Sequence, residues 1–166
     1  YLTGEKLQYR GRQHPLEVVE ADVSEPELSF DDQTFTLRVH SLDSPADDVS
    51  IRRKRQAVVD WFVNRAREEL PSRAEPFESR LGLEEVPVEV GEIESRWGEY
   101  GDGTVRLNWR LIQAPIRIQD YVIAHEVAHA VHDGHTDSFW NTVGALIPDC
   151  EDRRAWLRLN GNTLEI

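Results

Sequence analysis

A chain of 166 residues, 39% hydrophobic and 30% charged, is sized for one ordinary core with a small β appendage, not for two full-sized domains. Its 31 acidic and 19 basic side chains leave a formal charge of −12, which repels phosphate backbones, so no direct nucleic-acid binding is expected. No run approaches the roughly 18 consecutive apolar residues of a membrane span, which excludes a membrane role, and the single cysteine, Cys150, can close no internal disulfide, which points to a cytoplasmic protein.

In chain order, Leu16-Glu17-Val18-Val19, Leu28-Ser29-Phe30 and Thr34 to Val39 are short β-branched and aromatic runs. They predict a small antiparallel sheet with Asp31-Asp32 as a hairpin turn. Pro45 and the aspartates between Ser41 and Asp48 predict a connection, which divides a β-rich region at 1–48 from a second region at 49–166. From Ile51 to Leu70, the apolar positions Ala57, Val58, Trp61, Phe62, Ala66 and Leu70 recur at spacings of three and four, the pattern of an amphipathic helix that Pro71 stops. A shorter helix is expected from Pro71 to Leu81, ended by Gly82.

Val86 to Val90 and Thr104 to Trp109, around the turn Gly101-Asp102-Gly103, predict a hairpin or short meander. Thr104 to Trp109 is the expected edge for an extended peptide to pair with. Pro115 opens a helix whose periodic part runs from Ile118 to His132, with Ile123, Val127, Ala130 and Val131 as its apolar back and Tyr121, His125, His129 and His132 on the other face. Thr136 caps a helix through Leu146 with Phe139, Trp140, Val143 and Leu146 as its stripe, and Glu151 to Leu159 reads as a last short helix. The expected class is α+β.

Four of the six histidines lie between positions 125 and 135. Two histidines four apart on a helix face the same way, so both imidazoles of His125 and His129 can reach one ion, while Glu126 is rotated to lie beside that ion, where it can take a proton from metal-activated water. This HExxH pattern arises by chance in about 2% of chains of this composition. A catalytic zinc needs a third ligand. His132 lies about 10 Å from His125 along the axis of a straight helix, so it is read as a supporting or surface residue. Gly134, with a positive φ, can turn the chain back and bring His135 to the metal; Asp133 or Asp137 in its place is the alternative. Cys150 is read as a small buried residue, with no evidence for a ligand role.

Arg96-Trp97-Gly98, Leu107-Asn108-Trp109-Arg110-Leu111, Ala114-Pro115, Asp120-Tyr121-Val122 through His129, and His135 with Phe139-Trp140 together resemble the YgjP-like metallopeptidase-domain proteins, relatives of the SprT-like and other minigluzincin-type zincins. The resemblance covers roughly residues 50 to 160. It implies a zincin-like domain at 49–166 with an HExxH active-site helix, zinc held by His125, His129 and His135, and Glu126 as catalytic base. The sequence departs from the family at Glu99-Tyr100, where small residues usually follow Trp97-Gly98, so the loop there is expected to differ in shape. Trp97 and Trp109 are read as packing residues. Arg96, Arg110 and Tyr121 are equally explained by ion pairs and packing or by a developing oxyanion, and none is assigned that role.

The function expected is a Zn2+-dependent hydrolase, a metallopeptidase acting on peptide or protein, with Glu126 moving the proton. The alternatives are a metal-dependent hydrolase of nucleotides or other phosphoanhydrides, and a non-enzymatic interaction module stabilised by zinc. The chain contains no glycine-rich phosphate loop of the GxxxxGK type, which weakens the nucleotide reading. Arginine dominates the basic residues, with lysine only at Lys6 and Lys54, which fits either a salt-adapted surface or a GC-rich coding bias. The chain begins at Tyr1 and has no methionine, which leaves a removed leading segment open.

Overall fold

In a computed structural model, which describes residues 1–43 and 47–166, the chain opens with a hairpin that its local sequence hides. Strand β1 (Lys6–Tyr9) runs antiparallel to β2 (Arg12–Glu20), with Leu7 opposite His14. Arg10 and Gly11 between them have φ of 49° and 79°, two successive left-handed residues whose twist matches that of the strands they join. Strand β3 (Glu27–Phe30) pairs antiparallel with β4 (Phe35–Val39), Phe30 opposite Phe35. The turn falls at the expected aspartates: the Asp31 carboxylate accepts from the Gln33 and Thr34 N–H groups at 2.9 and 2.7 Å, and Asp32 has φ 75°.

The antiparallel expectation for this sheet fails at its centre. Strands β2 and β4 are parallel, from Leu16 opposite Phe35 to Glu20 opposite Val39, and the order is β1-β2-β4-β3. The reason is burial: alternate residues of β4, Phe35, Leu37 and Val39, are 0–2% exposed, so this most apolar strand takes the interior place and half-buried β3 takes the edge. Of the expected connection between Ser41 and Asp48, residues 44–46 lie outside the described residues. Helix α1 (Asp48–Glu69) starts from Asp47, whose carboxylate accepts from the Ser50 N–H at 2.6 Å. It lays Trp61 and Phe62 against Phe35, with ring centroids 4.9 and 5.7 Å away. Pro71 begins a 3-10 turn, α2 (Glu75–Arg80) follows, and Gly82 leaves it at φ 66°.

The second sheet holds β5 (Val88–Gly91), β6 (Gly98–Gly101) and β7 (Thr104–Asn108) in the order β5-β7-β6. Asp102 and Gly103, at φ 51° and 74°, join β6 to β7 antiparallel, while β5 joins β7 in parallel. Thr104 to Trp109 is therefore not an edge. Val105 and Leu107 are fully buried between two neighbours, and one outer strand is β6, which the two glycines at its ends had masked.

A 3-10 turn (Trp109–Gln113) leads into α3 (Ile116–Ala128). The first hairpin seats on this junction: Arg10 and Gly11 donate their N–H groups to the Ile112 and Gln113 carbonyls at 3.1 and 2.8 Å. A Cβ on Gly11 would lie 2.7 Å from Pro115 Cγ. Buried Gln119 donates to the Ile112 and Ala114 carbonyls at 3.2 and 2.9 Å, fixing the helix start from inside. Helix α3 ends sooner than its periodicity predicts. The N–H groups of Ala130 and Val131 turn to the carbonyls three residues back; Ala130 still packs against the core, but Val131 is 48% exposed. Positive φ among the glycines falls at Gly4, Gly11, Gly82 and Gly103, not at Gly134; after the tightened turn at 129–131 the chain bends at 133–135. Helices α4 (Asp137–Leu146) and α5 (Cys150–Asn160) close the fold. The Thr136 hydroxyl caps α4 by accepting from the Phe139 N–H at 3.3 Å, and Cys150 is a free, buried thiol. One buried apolar cluster runs from Leu7 to Leu164 through both sheets and all the helices. No helix of the described residues is long and apolar enough to cross a membrane.

Candidate metal centre

Helix α3 presents His125 and Glu126 in its last turn, His129 caps it, and the turn and bend that follow bring His135 back beside His125. Among the described residues, the metal-capable side chains that gather are His125, His129 and His135, whose ligand atoms lie within 4.8 Å of one another. Asp133 lines the same cavity and Asp137 sits in the first turn of α4, but neither belongs to that group. The Nε2 atoms of His125 and His135 are 3.3 Å apart. Two nitrogens held about 2.0–2.1 Å from a tetrahedral ion are separated by about that distance.

Neighbours fix each ring. The His129 ring lies 4.3 Å from Phe139, stacked at 18°, and the His135 ring lies 5.9 Å from Trp140 at 26°. His129 Nδ1 stands 3.0 Å from the His132 carbonyl oxygen, which selects the tautomer protonated there and leaves Nε2 for a metal. His132 thus supports the cluster through its backbone, while its own ring contacts the Thr142 hydroxyl at 2.9 Å. Burial holds His125 neutral, with its pKa lowered to about 4 and the other two imidazoles adding to the effect. Burial also lowers the His129 pKa. A set of neutral imidazoles suits a divalent ion of borderline softness.

Glu126 lies under this cluster, with Oε1 3.9 Å from His125 Nε2 and only 7% of the residue exposed. Burial, reinforced by Glu99, pushes its pKa up to about 7, against the pull of Arg96. Above it runs β6. A Cβ on Gly98 would fall 2.9 Å from Glu126 Cγ and 3.2 Å from Val122 Cγ1, so the strand reaches this carboxylate only because position 98 has no side chain. Sequence reasoning gave Gly98 no role of its own; the signal was its place beside Trp97 in a strand otherwise short of apolar residues.

The cavity over the histidines, about 640 Å³, is walled by β6 and includes Arg96, Glu99, Tyr100 and Asp102. Arg110 is elsewhere: it pairs with Glu92 at 2.6 Å and stacks on Trp109, whose indole N–H donates to Glu92 at 2.8 Å. Trp109 is 3% exposed and serves packing, as expected. Tyr121 is buried with its ring centroid 6.0 Å from that of His125, and burial pushes its pKa up to about 12.

A carboxylate and three imidazoles around one solvent-facing cavity on an α+β frame define a candidate metal site of the kind metal-dependent hydrolases use. Residues 1–160 match the family described as YgjP-like, metallopeptidase domain, and the chain belongs to that family. Membership and the histidine cluster together are consistent with metal-dependent hydrolysis in general. Among solved structures, the crystal structure of the metallopeptidase zymogen of Pyrococcus abyssi abylysin is similar at 22% identity and a TM-score of 0.48, covering 54% of this chain and 94% of that one. No curated protein matches the sequence.

Proposed function

We propose that the chain is a zinc-dependent peptidase in which His125, His129 and His135 hold the ion and Glu126 is the general base. The observation that carries this is the convergence of three ring nitrogens within 4.8 Å, with the Glu126 carboxylate 3.9 Å from one of them. Bound there, zinc would act as a Lewis acid that polarises the scissile carbonyl and lowers the pKa of water at its open position. A cation among the imidazoles also favours the ionised form of Glu126. The Glu126 carboxylate then accepts the proton of the attacking water and delivers it to the departing amine.

The outer edge of β6 offers unpaired backbone groups along the cavity wall, and an extended peptide would add there as a further strand. The test is metal analysis of protein purified without added metal, followed by peptide and nucleotide hydrolysis by the wild type and Glu126→Gln. The expected result is about one zinc per chain in both proteins, peptide cleavage by the wild type, and a loss of about 100-fold or more in the variant. Undiminished cleavage by Glu126→Gln would remove the assigned base, and release of phosphate with no peptide cut would move the substrate to the phosphoanhydride class.

A further inference from the structure

Around the histidines the open space continues on both sides of Gly98, and the two sides differ in charge. Toward the turn between β6 and β7 it carries Glu99, Asp102 and Asp133, with Arg96 on the boundary shared by the two sides. Toward α5 lies a second cavity of about 340 Å³ that still borders His125 and Glu126. Its exposed rim carries Arg96, Arg154 and Arg158, and its inner wall is Trp97, Tyr121 and Leu157.

This wall is built. Arg154 and Arg158 are one helical turn apart on α5, so both project to the same face. The Arg154 guanidinium sits 4.8 Å over the Trp140 ring, which itself lies against His135. Trp97 is pressed against the end of α5, where a Cβ on Gly161 would come within 3.2 Å of the indole. Among the described residues, none of the three guanidiniums makes an ion pair. In a chain with 31 acidic side chains against 19 basic ones, three unpaired arginines converging on one cavity beside the histidines are positioned for an anion from outside. Guanidinium matches carboxylate geometry through paired N–H donors, and the apolar inner wall accommodates the methylenes of an acidic side chain.

We infer that the cavity between β6 and α5 is a specificity pocket that takes a carboxylate of the peptide substrate on Arg154 and Arg158, with Arg96 opposite. The inference rests on the proposed peptidase reading and names its substrate class. The carboxylate comes from an acidic side chain or from the peptide's C-terminus, and the probes distinguish the two. They are short peptides in matched pairs, Glu against Gln at each position and free against amidated at the C-terminus. Binding is measured calorimetrically to the zinc-loaded full chain carrying Glu126→Gln, which holds peptide without cutting it.

The expected result is a preference of about tenfold or more for the carboxylate member of one matched pair, collapsing to about twofold or less when Arg154→Gln and Arg158→Gln are combined. A ratio of affinities within one protein does not depend on the fraction folded, and Arg154→Lys with Arg158→Lys should recover part of it. Equal binding of the paired peptides, or a preference that survives the double substitution, overturns the pocket. So does inorganic phosphate that displaces the peptides at concentrations below their own dissociation constants. Cleavage of the same peptides by the wild type is scored separately: selective binding without cleavage would leave the pocket standing and remove the peptidase reading.

Discussion

The Glu126 carboxyl is nearly dry. A carboxyl whose pKa stands at about 7 in the fold, against about 4.5 in an unfolded chain, ionises first when unfolded. It therefore penalises the metal-free fold increasingly as pH rises from about 4.5 to 7, and by a constant amount above that. Glu126→Gln removes this penalty. The metal-free variant is expected to be more stable than the metal-free wild type at pH 8, by up to about 3 kcal/mol, with little difference at pH 4.5. His125 works in the opposite sense: with its pKa lowered to about 4, it weakens the fold as pH falls below about 6.5. It is present in both proteins, so the comparison isolates the carboxylate. Denaturant unfolding at the two pH values checks this, and a difference that does not change with pH would contradict it. The spacing of His125, Glu126 and His129 was legible because a helix converts a four-residue interval into a shared face. The structure places His135 beside His125 without a left-handed Gly134: the helix ends in tightened hydrogen bonds after Ala128, and the chain then bends at 133–135.

Between elements, β6 approaches α3 closely at Gly98. Gly98→Ala would place a methyl 2.9 Å from Glu126 Cγ and 3.3 Å from the Arg106 carbonyl oxygen, so either the strand lifts or the carboxylate moves. The expected cost is about 1–3 kcal/mol of stability and a loss of about tenfold to a hundredfold in turnover from a misplaced base, with zinc content unchanged. Full turnover in Gly98→Ala would show that this contact does not set the position of Glu126. Helices α1 and α4 were readable from their apolar intervals because helical contacts are local. Strands β2, β3, β4, β5 and β7 were readable as well, but the pairing of the sheets and strand β6 were not. The parallel pairing of β2 with β4 joins segments whose neighbourhood depends on the whole sheet, and β6 is two glycines around Glu99 and Tyr100, a run with no alternating pattern to recognise.

Across the whole molecule, the buried cluster is continuous from Leu7 to Leu164. Leu16, Phe35 and Leu37 of the first sheet are among its most enclosed members. A chain cut to residues 49–166 would expose the aromatic face of α1 and the carbonyls of Ile112 and Gln113 that the first hairpin covers. It is expected to be insoluble or to lack a cooperative thermal transition, whereas the full chain unfolds in one step; a well-folded, zinc-binding 49–166 fragment would show instead that the site region is self-sufficient.

Gly11 rests on Pro115 with no space for a methyl, and that proline opens the helix bearing His125 and Glu126. The first hairpin is in effect a doorstop for the helix that carries the histidine cluster. A mutational scan scored by activity would single out position 11 as intolerant, and a surveyor of such a map could mistake a mechanical prop for a participant in the reaction.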